Sequence, residues 1–236
     1  MDARRGQLFT KVSRELSVAA REGGPDPTGN FRLRLAIQKA REVNMPADNI
    51  ERAIQRGAGG KDGVQLEEVR YEGYGPHGVA IMVDTLTDNR NRTVAAIRNV
   101  FTRSGGSLGE ANSVGWMFTQ QGVLRVEADG SEAEDVALEL LDVVDVGDDG
   151  DISVDGRDVQ ITLAPARFEE TRRTLEDNGY KIDTADVTMN PSSSVELDAK
   201  QAPPVLRLLD ALEEQDDVQQ VYANAEIPDE VLASVT

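Results

Sequence analysis

Apolar residues in this 236-residue chain keep helical spacing up to Gly59-Gly60-Lys61-Asp62-Gly63 and first switch to strand spacing after it, and that switch limits the folds open to it. Before the glycines, Leu8, Val12, Leu16 and Ala19 recur at three- and four-residue intervals. So do Leu33, Ile37 and Ala40, and then Ile50, Ala53 and Ile54. This is the helical period. Gly23-Gly24-Pro25-Asp26-Pro27 stops the first helix, Asn30 caps the second, and Pro46 suits the first turn of the third, which Gly57 is expected to end. After the glycines the period becomes two. Val69 and Tyr71, then Val79, Ile81 and Val83, alternate as half-buried strands do, across a tight turn at Gly75-Pro76-His77-Gly78. Asp88 or Asn89 caps a helix that runs to about Arg103. Val114, Trp116 and Phe118 are expected to form a third strand, with both aromatics in the core rather than offered as a base-stacking platform.

From Gly122 to Met189 the predicted order is strand, helix, two strands, helix, strand, the ferredoxin-like split unit. Pro191-Ser192-Ser193-Ser194 follows as a hinge, and the tail supplies only a strand, a helix and a strand. That tail cannot build a sheet core alone, so it is expected to join the sheet begun at residues 67–118. The expected architecture is an α+β multidomain chain. A basic three-helix domain (1–62) precedes a discontinuous α/β domain (63–120 and 190–236), into which a ferredoxin-like domain (121–189) is inserted.

Cysteine is absent and His77 is the single histidine. Disulfides, cysteine nucleophiles, iron–sulfur clusters and Cys- or His-based metal sites are thereby excluded. No apolar run approaches the ~20 residues of a membrane-spanning helix, and the opening MDARRGQLFTK has no apolar signal core. A cytoplasmic protein is expected.

Charge is divided unevenly. Residues 1–60 hold eleven Lys and Arg against seven Asp and Glu, whereas residues 121–236 hold eight against twenty-nine. Such asymmetry fits a polyanion-binding end and a repelling end, and it fits equally an acidic surface with one less acidic helical region. The candidate phosphate contacts in the first segment are Arg4, Arg5, Lys11, Arg14, Arg32, Arg34, Lys39, Arg41, Arg52 and Arg56. Arg90 and Arg92 join them from Thr87-Asp88-Asn89-Arg90-Asn91-Arg92-Thr93, a run of hydrogen-bonding side chains at a strand-to-helix junction. The competing reading there is ordinary capping, or arginines pairing with Glu72 or Asp84.

Other motifs carry less. Gly73-Tyr74-Gly75-Pro76-His77-Gly78 matches G-x-G-x-x-G by letters, but a strand follows it where a dinucleotide site needs a helix N-terminus. Asp145 to Asp151 lacks calcium-loop spacing and reads as an acidic hairpin tip, and His77 reads as a surface turn residue. No catalytic constellation, cofactor or metal site emerges.

Four strings together carry a resemblance: Arg5-Gly6-Gln7-Leu8-Phe9-Thr10-Lys11, Asn44-Met45-Pro46, Tyr71-Glu72-Gly73-Tyr74-Gly75-Pro76 and Thr87 to Thr93. In this order, and over nearly the whole chain, they resemble the YebC family. That family includes bacterial proteins named as probable transcriptional regulators and the mitochondrial translational activator of cytochrome c oxidase. The resemblance implies a helical N-terminal domain followed by two α/β domains, one inserted in the other. Family members usually begin with a basic segment ahead of the first string. This sequence starts at Met1-Asp2-Ala3-Arg4-Arg5, so contacts made by that segment are expected to be missing and affinity lowered. The function expected is a non-enzymatic, nucleic-acid-binding regulator of gene expression, of the DNA-binding transcriptional type. Its alternatives are a ribosome-associated translation factor that binds rRNA and an acidic protein-interaction adaptor.

Overall fold

The computed structural model describes residues 2–59, 66–128, 131–228 and 231, with side chains from residue 5 onward. The expected linker lies, from Gly60 on, outside the described residues, as does the Arg4 side chain. The chain forms two compact units, residues 1–117 with 191–236, and residues 118–190.

The first unit opens with α1 (Asp2–Gly23), α2 (Phe31–Glu42) and α3 (Ala47–Ala58). Their apolar stripes meet in one core that includes Val12, Leu16, Ala19, Leu33, Ala40 and Ala53. Asn30 accepts the Leu33 N–H at 3.0 Å and donates to the carbonyls of Ala19 and Gly24, so the cap of α2 also binds the end of α1. Gly57 does not terminate α3. It lies buried inside the helix, where a Cβ would stand 2.1 Å from the Ser17 carbonyl oxygen. The glycine is there because α1 and α3 cross at backbone contact, and Ser17 bridges the crossing by donating to the Ala53 carbonyl at 2.8 Å.

The period-two segment forms a four-stranded sheet. In it β1 (Glu67–Tyr74) pairs antiparallel with β2 (Ala80–Thr87). Next, α4 (Arg90–Arg103) packs back on the sheet through Ile97 and Phe101. A short β3 (Ser107–Leu108) then adds to the free side of β1. The expected third strand around Val114–Phe118 is different. Gly115–Met117 is a 3₁₀ turn, and Trp116 is 74% exposed. The alternation of Val114, Trp116 and Phe118 holds for burial only at its ends. At its start the Glu72 carboxylate accepts the N–H groups of Asn112, Val114 and Gly115, which bend the chain away from strand geometry.

The second unit holds β4 (Phe118–Glu127), α5 (Ala133–Val143), β5 (Asp151–Asp155), β6 (Asp158–Leu163), α6 (Phe168–Asp177) and β7 (Ile182–Pro191). Its sheet order is β5-β6-β4-β7, the ferredoxin-like order. Leu124, Val126, Val159, Ile161 and Leu163 alternate inward from β4 and β6 towards Val136, Leu140, Phe168 and Leu175 of the helices.

The chain then returns to the first unit with β8 (Val195–Glu196), α7 (Ala202–Glu213), β9 (Val218–Ala223) and β10 (Ala225–Glu226). Here β9 pairs antiparallel with β2, giving the order β3-β1-β2-β9, and β8 pairs with β10 in parallel. Helices α4 and α7 bury Phe101, Val205, Leu208 and Leu212 against Ile81, Val83 and Val218. No helix among the described residues is long and apolar enough to cross a membrane.

Candidate nucleic-acid interface

The basic residues of the helical segment fall into two groups. The first group is held by the chain itself. Lys11 Nζ donates to the carbonyl of Glu213, Gln7 Nε2 to that of Glu214, and Arg14 to that of Asp216 at 2.5 Å. These carbonyls cluster at the C-terminal end of α7, where unpaired carbonyls and the helix dipole attract cations. Burial lowers the Lys11 pKa from its ordinary value, against the pull of Glu213 and Asp216. Arg32 binds Glu15 in a fork, at 2.7 and 3.2 Å, and also reaches Glu22 and Glu68. Arg34 donates to the carbonyls of Pro27 and Thr28 and lies over the Phe31 ring. The four cations, with Gln7, hold the helical segment together and fasten it to the sheet.

Arg92 belongs with them. It donates to Asp88 at 2.7 Å and to Asp217 at 2.8 and 3.1 Å. Asp217 also receives Arg14 at 3.0 Å and the Thr93 hydroxyl at 2.7 Å. Its side chain is only 10% exposed. Burial alone raises the pKa of such a carboxylate, but the Thr93 hydroxyl and the two guanidinium groups hold it below the ordinary carboxylate range. The surrounding groove, about 430 Å³, carries Asp88, Asp216 and Asp217 beside Arg14 and Arg92. The arginine partners expected from sequence are different too: Asp84 pairs with Arg70, and Glu72 binds backbone. Asp217 had no signal in the sequence beyond two adjacent acids between a helix and a strand.

The second group faces solvent. Arg5, Lys39, Arg41, Arg52 and Arg56 are exposed. Arg5 lies over the Phe9 ring, 5.3 Å from its centroid. Arg52 donates to the Asp48 carbonyl and the Asn49 side chain, both neutral oxygens, and forms no ion pair among the described residues. Arg52 and Arg56 stand one turn apart and so share a face of α3. Arg90 is 66% exposed at the start of α4 and lies 3.9 Å from Glu67. Asn89, rather than Asp88, caps that helix, accepting the Arg92 N–H at 3.1 Å.

Residues 1–60 match the family described as the TACO1/YebC protein N-terminal domain, and residues 66–225 match the TACO1/YebC second and third domain. A probable transcriptional regulatory protein of Dictyoglomus thermophilum is 48% identical over 235 residues, covering 100% of this chain and 93% of that protein. Others of the same description, from Pelotomaculum thermopropionicum and Shewanella oneidensis, are each 50% identical, covering 97% and 99% of this chain and 93% of each relative. The crystal structure of a conserved hypothetical protein from Aquifex aeolicus superposes with a TM-score of 0.85 at 46% identity. It covers 98% of this chain and 94% of its own.

Proposed function

This chain belongs to the TACO1/YebC family, and on that premise we propose that it is a non-enzymatic, cytoplasmic regulator of gene expression that binds DNA through its helical segment. Its relatives are named probable transcriptional regulatory proteins. The observation that carries the DNA-binding reading is the group of solvent-facing cations, Lys39, Arg41, Arg52 and Arg56, on α2 and α3, with Arg5 and Arg90 as further contacts. In a chain with a formal charge of −18, a segment with eleven Lys and Arg against seven Asp and Glu is where a polyanion would dock. Such contacts position a protein on phosphates without reading sequence.

The experiment is a salt titration of full-length protein on a 20-base-pair duplex. Arg52→Ala with Arg56→Ala should lower the salt slope by about 0.9 per lost contact and weaken every sequence alike. Arg32→Ala serves as the comparison, because Arg32 is committed to Glu15, Glu22 and Glu68 and its loss should act on stability. An unchanged slope in the Arg52/Arg56 variant would reject the reading.

A further inference from the structure

Among the described residues six large apolar side chains are exposed, and three of them, Leu138 (64%), Leu141 (61%) and Val154 (39%), belong to the unit of residues 118–190. They lie on one side of it. Helix α5 packs over β5 and β6. Leu140 points into the core, so Leu141 falls about 100° round the helix on one flank and Glu139 about 100° round on the other. The Glu139 carboxylate accepts the Tyr180 hydroxyl at 3.4 Å, from the turn between α6 and β7, so that flank faces the β7 side of the sheet. Leu141, with Leu138 one turn before it, therefore looks over the opposite side, where β5 is the edge strand. Val154 stands directly across from buried Val159 in the β5–β6 ladder, so its side chain is on the helix-bearing face as well. The two leucines and the valine form an apolar strip beside an open strand.

The outer edge of β5 pairs with no other strand among the described residues. Asp155 pairs with Asp158 across the two-residue turn Gly156-Arg157, and Gly156 has the positive φ, 67°, of a type II′ hairpin. Such a turn closes on a hydrogen-bonded pair. Asp151, Ser153 and Asp155 then bond to β6, while the N–H and C=O groups of Ile152 and Val154 point outward. On the face away from the helices β5 shows Asp151, Ser153 and Asp155, all exposed. Acids guard an edge strand against pairing with its own kind, but they do not account for exposed leucines.

We propose that this edge binds an extended basic peptide of a partner protein, added as a strand beside β5. Its alternate apolar side chains lie on the strip of Leu138, Leu141 and Val154, and its lysines or arginines lie over Asp151 and Asp155. Strand addition takes affinity from main-chain hydrogen bonds and selectivity from alternate side chains. Charge selects the occupant, because the unit carries nineteen Asp and Glu against six Lys and Arg. A second copy pairing β5 with β5 about Ser153 would set Asp151 against Asp155, and like charges opposite each other in a ladder repel. Asp155 already bonds Arg125, whereas Asp151 is in no ion pair among the described residues, so Asp151 offers the ligand the stronger charge. The site shares no residue with the proposed DNA contacts and stands whether or not they bind DNA.

The test is fluorescence anisotropy of a labelled peptide of five lysine–valine repeats, titrated with the full chain. It should bind, more weakly as salt is raised, and a peptide of five glutamate–valine repeats should not. Leu138→Ser with Leu141→Ser changes only exposed side chains, so the melting temperature should hold while affinity falls at least about tenfold. Asp151→Lys should weaken binding by about threefold or more. Val154→Pro removes an outward N–H but no bond to β6, and should abolish binding. Should that variant melt early, the leucine pair decides. The proposal is overturned if the lysine–valine peptide does not bind, if the glutamate–valine peptide binds equally, or if the leucine variant binds as tightly as wild type. Sedimentation supplies the last outcome: a dimer that the leucine variant dissolves would mean that a second copy fills the strip, and the proposal would fall.

Discussion

At Asp217, one carboxylate gathers Arg14 from α1, Arg92 and Thr93 from α4, and its own position beside β9. Neutralising it takes from Arg14 and Arg92 the buried carboxylate they share, leaving them the Asp216 carbonyl and Asp88. Asp217→Asn should destabilise the first unit by about 1–3 kcal/mol, read from chemical denaturation. The pH dependence follows from the direction of the shift. The folded carboxyl titrates below its unfolded value near 3.9, so its contribution is complete above about pH 5 and is lost as pH falls through the folded pKa. The stability gap between wild type and Asp217→Asn should therefore be constant from pH 5 to 7 and shrink below about pH 4. Gly57 is a second single-residue test. Alanine there overlaps a backbone carbonyl rather than a movable side chain, so α1 and α3 must separate. Gly57→Ala should cost about 1–3 kcal/mol, although alanine is the better helix former. Both residues were illegible in the sequence for one reason. A glycine at a helix crossing and a glycine at a helix end are written with the same letter, and a carboxylate's partners 124 residues away leave no local trace.

Elements were more readable than the contacts between them. The stripes of α1 and α2, the Asn30 cap and the inward set of α4 follow from period and capping chemistry, because an amphipathic helix needs only its own residues to declare a face. The turn at Asn112–Trp116 could not be read this way. Its conformation is dictated by Glu72, a residue of another strand, and alternation of apolar letters there is accidental. The same carboxylate supplies an element-scale prediction. Burial raises its pKa, but three N–H donors prevail and hold it below the ordinary range. Glu72→Ala should strand those donors, cost about 1–3 kcal/mol, and shift the emission of Trp116 as its turn loosens. A variant with wild-type emission and stability would mean the turn holds its shape without the carboxylate. The solvent-facing cations were legible only as a pool. Lys11, Arg14, Arg32 and Arg34 look the same in sequence as Lys39, Arg41 and Arg56, and only folding decides which are consumed internally.

At the scale of the whole molecule, charge follows the architecture. Residues 118–190 carry nineteen Asp and Glu against six Lys and Arg. This unit has a complete four-stranded sheet with two helices, and its first and last strands, β4 and β7, are neighbours. A fragment of residues 118–190 should melt cooperatively alone. Residues 66–117 alone should not, because β9 and α7 cover one side of β2 and supply much of the core. Comparing the thermal transitions of the two fragments checks both statements. The points where the chain leaves and re-enters the first unit are joined directly: the Ser192 N–H donates to the Met117 carbonyl at 2.7 Å. A folding prediction follows from that single bond. Strand β9 must find β2 across 130 intervening residues, from Asp88 to Asp217. Once residues 118–190 have folded with their ends side by side, the loop to be closed contracts to fewer than half as many. The entropy of closure then falls by about 0.7 kcal/mol, and the search itself becomes shorter. Slowing the folding of the acidic unit should therefore delay the first unit's sheet without hastening its unfolding, read from refolding and unfolding kinetics of the whole chain.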